Sequence, residues 1–311
     1  MVTAVAAWSA FFAGDLPLAQ QRAEDALHDP AAGHPFSLAL LRAVLAEICT
    51  LTGQPERAVS IARQGGQEAA EQGLEIFAGN LLAIEAMARA SGGDYAAARQ
   101  PAMEAVEVAR KVQNPALSAF ACCAAAVAIR PGDPQTALAL IEDSLALTRA
   151  GASEPVLGIA FSWAGVIRAR TGDLPGALSA LREATAQHHA DGNRLLLGVT
   201  LRLAAVVLAR LAEAEPAAVL SGAFSAHFPP GVDPLHKDEK MEISEAQALA
   251  RHALGEAAYA AMLARGAAMD DHEVVGYAQA EFRRLAAQRA ETGAGPLPPA
   301  EPANETAVKP G

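Results

Sequence analysis

The chain has 311 residues, 52% of them hydrophobic but only 5% aromatic, and a formal net charge of −11. That length allows one large domain or two small ones, and a core of Ala, Leu and Val suits close helix–helix contact better than a β-sandwich or barrel. The acidic balance argues against a phosphate-tracking surface, which needs clustered Lys and Arg, so no direct nucleic-acid binding is expected.

The opening stretch "MVTAVAAWSAFFAG" is apolar, lacks a basic leader and is ended by Gly14-Asp15, so it does not read as a signal peptide. At this point a motif begins that recurs down the chain. "AGDLPLAQQRAEDA" starts at Ala13, "TGQPERAVSIARQG" at Thr52, "GGDYAAARQPAMEA" at Gly92, "PGDPQTALALIEDS" at Pro131 and "TGDLPGALSALREA" at Thr171. The turn residue falls at Gly14, Gly53, Gly93, Gly132 and Gly172, in steps of 39, 40, 39 and 40, and one further step reaches Ala212 and a degenerate sixth copy. A fixed period of this size signals stacked repeats, because one unit cannot bury its own apolar face.

Two positions in each copy are reserved for small residues. Seven residues before each turn come Ala7, Ala46, Ala86, Ala125, Gly165 and Ala205; five after it come Ala19, Ala58, Ala98, Ala137, Ala177 and Ala217. Side chains of methyl size or less let two antiparallel helices approach within about 8–10 Å. Each copy therefore reads as two helices around a turn. In the second copy the first helix spans roughly Phe36–Thr52 and the next begins near Pro55, a residue favoured in a first helical turn. Asp15, Asp94, Asp133 and Asp173 follow their glycines in N-cap-like positions. Breakers such as "HDPAAGHP", "EQGLE", "VQNPA", "GASEP" and "ADGN" separate the copies.

The pattern resembles the tetratricopeptide repeat, with "GGDYAAA" (Gly92–Ala98) the closest local match; the period of about 40 residues is longer than that family's 34. Later motifs extend the resemblance. They are "L-x-G-A" (Leu220–Ala223), "R-x-x-L-G-E-x-x-Y" (Arg251–Tyr259) and "G-x-x-M-x-x-x-E-V-V-x-Y-A" (Gly266–Ala278). Together with the long repeats they are similar to the helical region of maltose-regulator-like proteins, in the C-terminal part of actinobacterial LuxR-type and other ATPase-coupled regulators. The resemblance implies an all-α, right-handed superhelix of five to six helix pairs over 1–216, a degenerate last repeat and helical cap over 217–290, and a disordered tail over 291–311. It also implies a signalling or regulatory scaffold. No G-x-x-x-x-G-K-[ST] phosphate loop occurs. The expectation is therefore either a freestanding copy of the repeat module or a fragment of a larger regulator that reaches DNA through another domain.

In the cap, Leu254, Tyr259, Met262 and Leu263 lie at helical spacing and are expected to cover the last repeat. Gly266 fits a helix C-cap, and Asp270 or Asp271 can begin the next helix. The apolar stretch Leu195–Ala212 is interrupted by Arg202 and Arg210, so it reads as no membrane span, and a soluble, cytoplasmic protein is expected. Cys49, Cys122 and Cys123 are too few and irregular for a disulfide framework or zinc site and read as buried small hydrophobes.

No catalytic, metal or cofactor constellation emerges. His188-His189 lies near "ADGN" and reads as a surface helix end, with vicinal rings pointing apart; His227, His236 and His252 are scattered; "SWAG" (Ser162–Gly165) lacks the strand–turn–helix setting of a nucleophile elbow. Binding is the alternative to chemistry. Tetratricopeptide geometry implies a concave groove lined by the first helix of each pair, at 13, 10, 6 and 3 residues before the turn. Candidate groove residues are Glu47, Asn80, Met87, Cys122, Ser162 and Arg202 in an otherwise apolar lining, which fits an amphipathic partner helix or a small apolar ligand. Trp8 and Phe11-Phe12, with nothing before them to cover them, read as a docking patch for another subunit or an upstream domain.

Overall fold

Five of the six expected turns close on a residue with left-handed backbone. Gly14, Gly53, Gly93 and Gly172 have φ of +80°, +72°, +88° and +85°, a region glycine enters without a Cβ penalty, while the sixth turn puts Ala212 there at +62°. The fourth differs: behind Pro131, the amides of Gly132 and Asp133 both donate to the Ile129 carbonyl, at 3.1 and 2.9 Å. After four of the five glycines the expected aspartate caps the next helix, while Gln54 after Gly53 makes no side-chain cap. Asp15, Asp94, Asp133 and Asp173 accept from the amides of Leu18, Ala97, Thr136 and Gly176 at 2.9–3.1 Å.

The computed structural model describes residues 2–28, 34–151, 154–227 and 237–292, and all regular structure among them is α-helical. The hairpins are α1 (Val2–Phe12) with α2 (Leu16–His28), α3 (Pro35–Leu51) with α4 (Pro55–Glu71), and α5 (Glu75–Ser91) with α6 (Tyr95–Val112). They continue with α7 (Pro115–Ile129) and α8 (Pro134–Arg149), α9 (Glu154–Arg170) and α10 (Leu174–Ala190), and α11 (Arg194–Arg210) and α12 (Ala214–His227). Each hairpin packs on the next in chain order, giving an α-solenoid of helix pairs. No described helix is long and apolar enough to cross a membrane.

The reserved small positions are where the helices meet. Ala7, Ala46, Ala86, Ala125 and Ala205, with Ala19, Ala58, Ala98, Ala137, Ala177 and Ala217, are all buried. At Gly165 even a methyl is too large, since an added Cβ would lie 2.6 Å from Cγ of Leu181 on the paired helix. Leu195, at the start of α11, joins the apolar cluster built mainly from the first two hairpins. The two ends of the hairpin array thus approach each other across the interior.

A cap of three helices follows: α13 (Lys237–Leu254), α14 (Glu256–Ala267) and α15 (Asp271–Thr292). Tyr259 is buried, and Leu254, Met262 and Leu263 pack against the same core. Gly266 requires a correction: it lies inside α14, whose C-cap is Ala268. A Cβ at Gly266 would overlap the carbonyl of Val219, and one at Gly222 would overlap that of Leu263, so α12 and α14 cross backbone to backbone. Asp270 caps α15 in a reciprocal box, accepting from the Glu273 amide at 2.8 Å while its own amide donates to the Glu273 carboxylate at 3.0 Å. α15 reaches Thr292, two residues into the segment expected to be loose; 293–311, the Pro-rich loop 228–236 and the breaker positions 29–33 and 152–153 lie outside the described residues.

Candidate functional site

The first helices of the hairpins line a partly open cavity of about 450 Å³. Trp8, Phe11 and Phe12 come from α1, and Leu40, Glu47 and Thr50 from α3. Across α5 the lining runs Phe77, Asn80, Ile84 and Met87; α7 adds Leu117 and Phe120, α9 adds Val156, Ile159, Ser162 and Trp163, and α11 adds Leu196, Val199 and Leu203. The aromatic trio of α1 therefore lines this space, with Phe12 still 38% exposed. Its rings pack at centroid distances of 5.2–5.6 Å, and Trp8 Nε1 donates to the Leu40 carbonyl at 3.3 Å, seating α1 on α3.

The lining follows one helical face. On α9 and α11 the contributing residues fall 16, 13 and 9 before the turn, and on α5 at 16, 13, 9 and 6, a three–four–three spacing that holds one side of a 3.6-residue helix. The expected set of 13, 10, 6 and 3 mixes this face with the next. Glu47, Asn80 and Met87 lie at the shared positions, and Ser162, at 10, also reaches the cavity. Cys122 and Arg202, likewise at 10, are not among its lining. The Arg202 guanidinium lies 4.4 Å from the Phe224 ring centroid, towards α12. Cys122 is half-buried outside the cavity, and burial pushes its thiol pKa up to about 11.

His188 reverses the surface reading. α10 continues to Ala190, which puts His188 eleven residues after Ala177, on the same buried face, with only 1% exposure, while His189 points to solvent. The ring lines the cavity 3.4 Å from Ser162 Oγ, whose hydroxyl is 2.9 Å from that of Thr200. Room for it comes from Gly158, where a Cβ would stand 2.7 Å from Nδ1. Burial lowers its pKa to about 4, a hydrogen bond to the Gly158 carbonyl opposing the shift, so the ring is neutral near pH 7. Ser162 and His188 thus present polar groups without charge to the cavity, whose lining does not include Thr200. Its sequence signal was the spacing Ala177, Leu181, Ala184, His188 on one helix face.

Glu47 is the contrasting group. It projects into the cavity with no hydrogen-bond or ion-pair partner among the described residues, and desolvation raises its pKa to about 7. Asn80, on the neighbouring hairpin, is likewise left with its amide free for a ligand. Among the described residues no lysine or arginine contributes to the lining.

One boundary is closed by the cap. Arg130, Arg170 and Arg210 stand two residues before their turns, 40 apart, and form a ladder along successive hairpins. The first turns of α13 lie across it. Arg130 Nη2 is 3.2 Å from Asp238 and 3.3 Å from Glu239, Arg170 is 2.7 Å from Asp238 and 2.9 Å from Glu242, and Arg210 is 3.3 Å from Glu242. Tyr95 donates its hydroxyl to Asp238 at 2.6 Å. Arg130 is also stacked near the rings of Trp163 and Tyr95, at 4.6 and 5.4 Å. Glu239, held by Arg130, forms part of the cavity wall. Among the described residues no group of three or more His, Cys, Asp or Glu side chains is placed to hold a metal ion. No protein-family model matches the chain, and no curated protein matches it either.

Proposed function

We propose that the chain is a non-catalytic ligand-binding repeat module that receives a small, mostly apolar molecule in the cavity inside its solenoid. The observation that carries this reading is a partly open cavity of about 450 Å³, lined by residues drawn from α1 through α11. That volume is in the range of small-molecule sites and, for a helix about 10 Å across, corresponds to roughly one turn. A partner helix laid along the groove is disfavoured for a second reason: α13 of the same chain already lies against the ends of the lining helices. The resemblance to the helical region of LuxR-type ATPase regulators supports a sensing role, in which ligand occupancy is read out by the surfaces of the hairpins.

The test is direct because the chain has two tryptophans, Trp8 and Trp163, and both line the cavity. Titration with 4-phenylbutan-1-ol is expected to change tryptophan emission saturably and to raise the melting temperature. Val199→Trp, which fills the cavity, is expected to abolish both effects. A series of neutral phenylalkanols that leaves emission and melting unchanged overturns the reading.

A further inference from the structure

The cavity's charge complement says more about its occupant than its size does. Six aromatic side chains, Trp8, Phe11, Phe12, Phe77, Phe120 and Trp163, share the lining with Glu47, and among the described residues no lysine or arginine faces the same space. Glu239 also lines it, but Arg130 neutralises that carboxylate. The imidazole of His188 is kept uncharged by burial. A carboxylate without a partner, in a space walled by aromatic rings, is the complement of an organic cation. The ammonium supplies the charge and the hydrogen-bond donors that Glu47 lacks. Its apolar substituents meet the aromatic walls, whose ring faces attract positive charge.

We propose that the ligand class of this cavity is an apolar organic amine, bound as its ammonium by Glu47 with Trp8, Phe11 and Phe12 around it. The inference rests on the cavity-binding reading given above and adds the charge of the ligand to it. Trp8 and Glu47 are tied into one unit through α3. The indole bonds the Leu40 carbonyl, and Glu47 follows Leu40 by seven residues, two turns along the same face. The polar groups that line the cavity from the later hairpins, Ser162 and His188, are free of formal charge, so the ammonium is drawn towards the α3 side of the cavity. An anionic amphiphile such as a fatty acid meets no cation among the described residues and would face Glu47.

Three ligands of nearly equal size separate the possibilities: 4-phenylbutylamine, 4-phenylbutan-1-ol and 4-phenylbutyrate, titrated at pH 7.5 and followed by tryptophan emission and calorimetry. The amine is expected to bind at least tenfold more tightly than the alcohol, and the acid most weakly. Glu47→Gln is expected to bring the amine and the alcohol to equal affinity for that variant, and Glu47→Asp is expected to retain a preference for the amine. Equal binding of amine and alcohol, tightest binding of the acid, or an amine preference that survives Glu47→Gln overturns the proposal while the cavity reading stands. If none of the three binds, both fall. The wild-type comparison needs no variant to fold, and circular dichroism checks the two that are made.

Discussion

Arg130 and Glu239, 109 positions apart in the chain, are buried against each other with 2% exposure each and a guanidinium–carboxylate separation of 3.3 Å. A buried charge that loses its partner is costly, whereas replacing both partners with apolar groups can be nearly neutral. Glu239→Ala is expected to destabilise the chain by about 2–4 kcal/mol, Asp238 retaining part of the compensation. The double variant Arg130→Met, Glu239→Leu is expected to recover most of that loss. Urea unfolding of the wild type, the single variant and the double variant checks it; a single variant within about 0.5 kcal/mol of wild type contradicts the pairing.

The crossing of α12 and α14 makes a second, differential prediction. Gly222→Ala and Gly266→Ala each place a methyl against backbone of the facing helix, which cannot move aside as a side chain can. Each is expected to cost about 2 kcal/mol or more by forcing the helices apart. Gly276, on the exposed side of α15, has nothing within 4 Å of its added Cβ. Gly276→Ala is expected to stabilise by about 0.5–1 kcal/mol through helix propensity alone. Thermal melts of the three variants give the comparison.

Glu47 and His188 bias stability against pH in opposite directions. Between pH 4.5 and 7 the folded chain retains on Glu47 a proton the unfolded chain has released, so this group's contribution falls as pH rises through that window. Between pH 6.5 and 4 the unfolded chain takes up a proton that buried His188 refuses, so stability falls as pH drops. Glu47→Gln removes the first effect only. Relative to wild type, the variant is expected to gain about 2–3 kcal/mol between pH 4 and pH 8, read from urea midpoints across that range. A constant difference across pH would contradict the buried state of Glu47.

Thiol chemistry offers a fourth check. Cys49 and Cys123 are buried, Cys122 is half-buried, and desolvation raises all three thiol pKa values above the ordinary one. Since the thiolate is the reactive form, alkylation of the native chain by iodoacetamide at pH 8 is expected to be slow at Cys122 and blocked at the other two until urea is added. Mass spectrometry of timed samples resolves the order, and rapid modification of Cys123 under native conditions would contradict its placement.

Much of this architecture was legible in the spacing of small residues. Ala98, Ala137 and Ala177 recur at one place in the repeat because they sit at helix crossings, and burial there follows from contact distance alone. The aspartate caps were legible for the same local reason. The site was less so. Glu47, Asn80, Met87 and Ser162 line the cavity, but a helical face drifts between steps of three and four residues, and a fixed offset carried Cys122 and Arg202 in with them. His188 was read as frayed because "ADGN" follows it, although the inward face of α10 persists to its last turn. Gly266 looked like a helix end, because a glycine demanded by a neighbouring backbone is indistinguishable in sequence from one demanded by a turn. The arginines at 40-residue intervals were visible, but their partners on α13 depend on how the cap folds back.

That fold-back has a mechanical consequence. An array in which each unit leans only on the next tends to unravel piecemeal from its termini. The acidic start of α13 clasps Tyr95 from the third hairpin and one arginine from each of the next three, so it acts as a strap across four units at once. Strain in any one of those units is shared with the others through this clasp, and the second half of the molecule is built to yield as a single block rather than link by link.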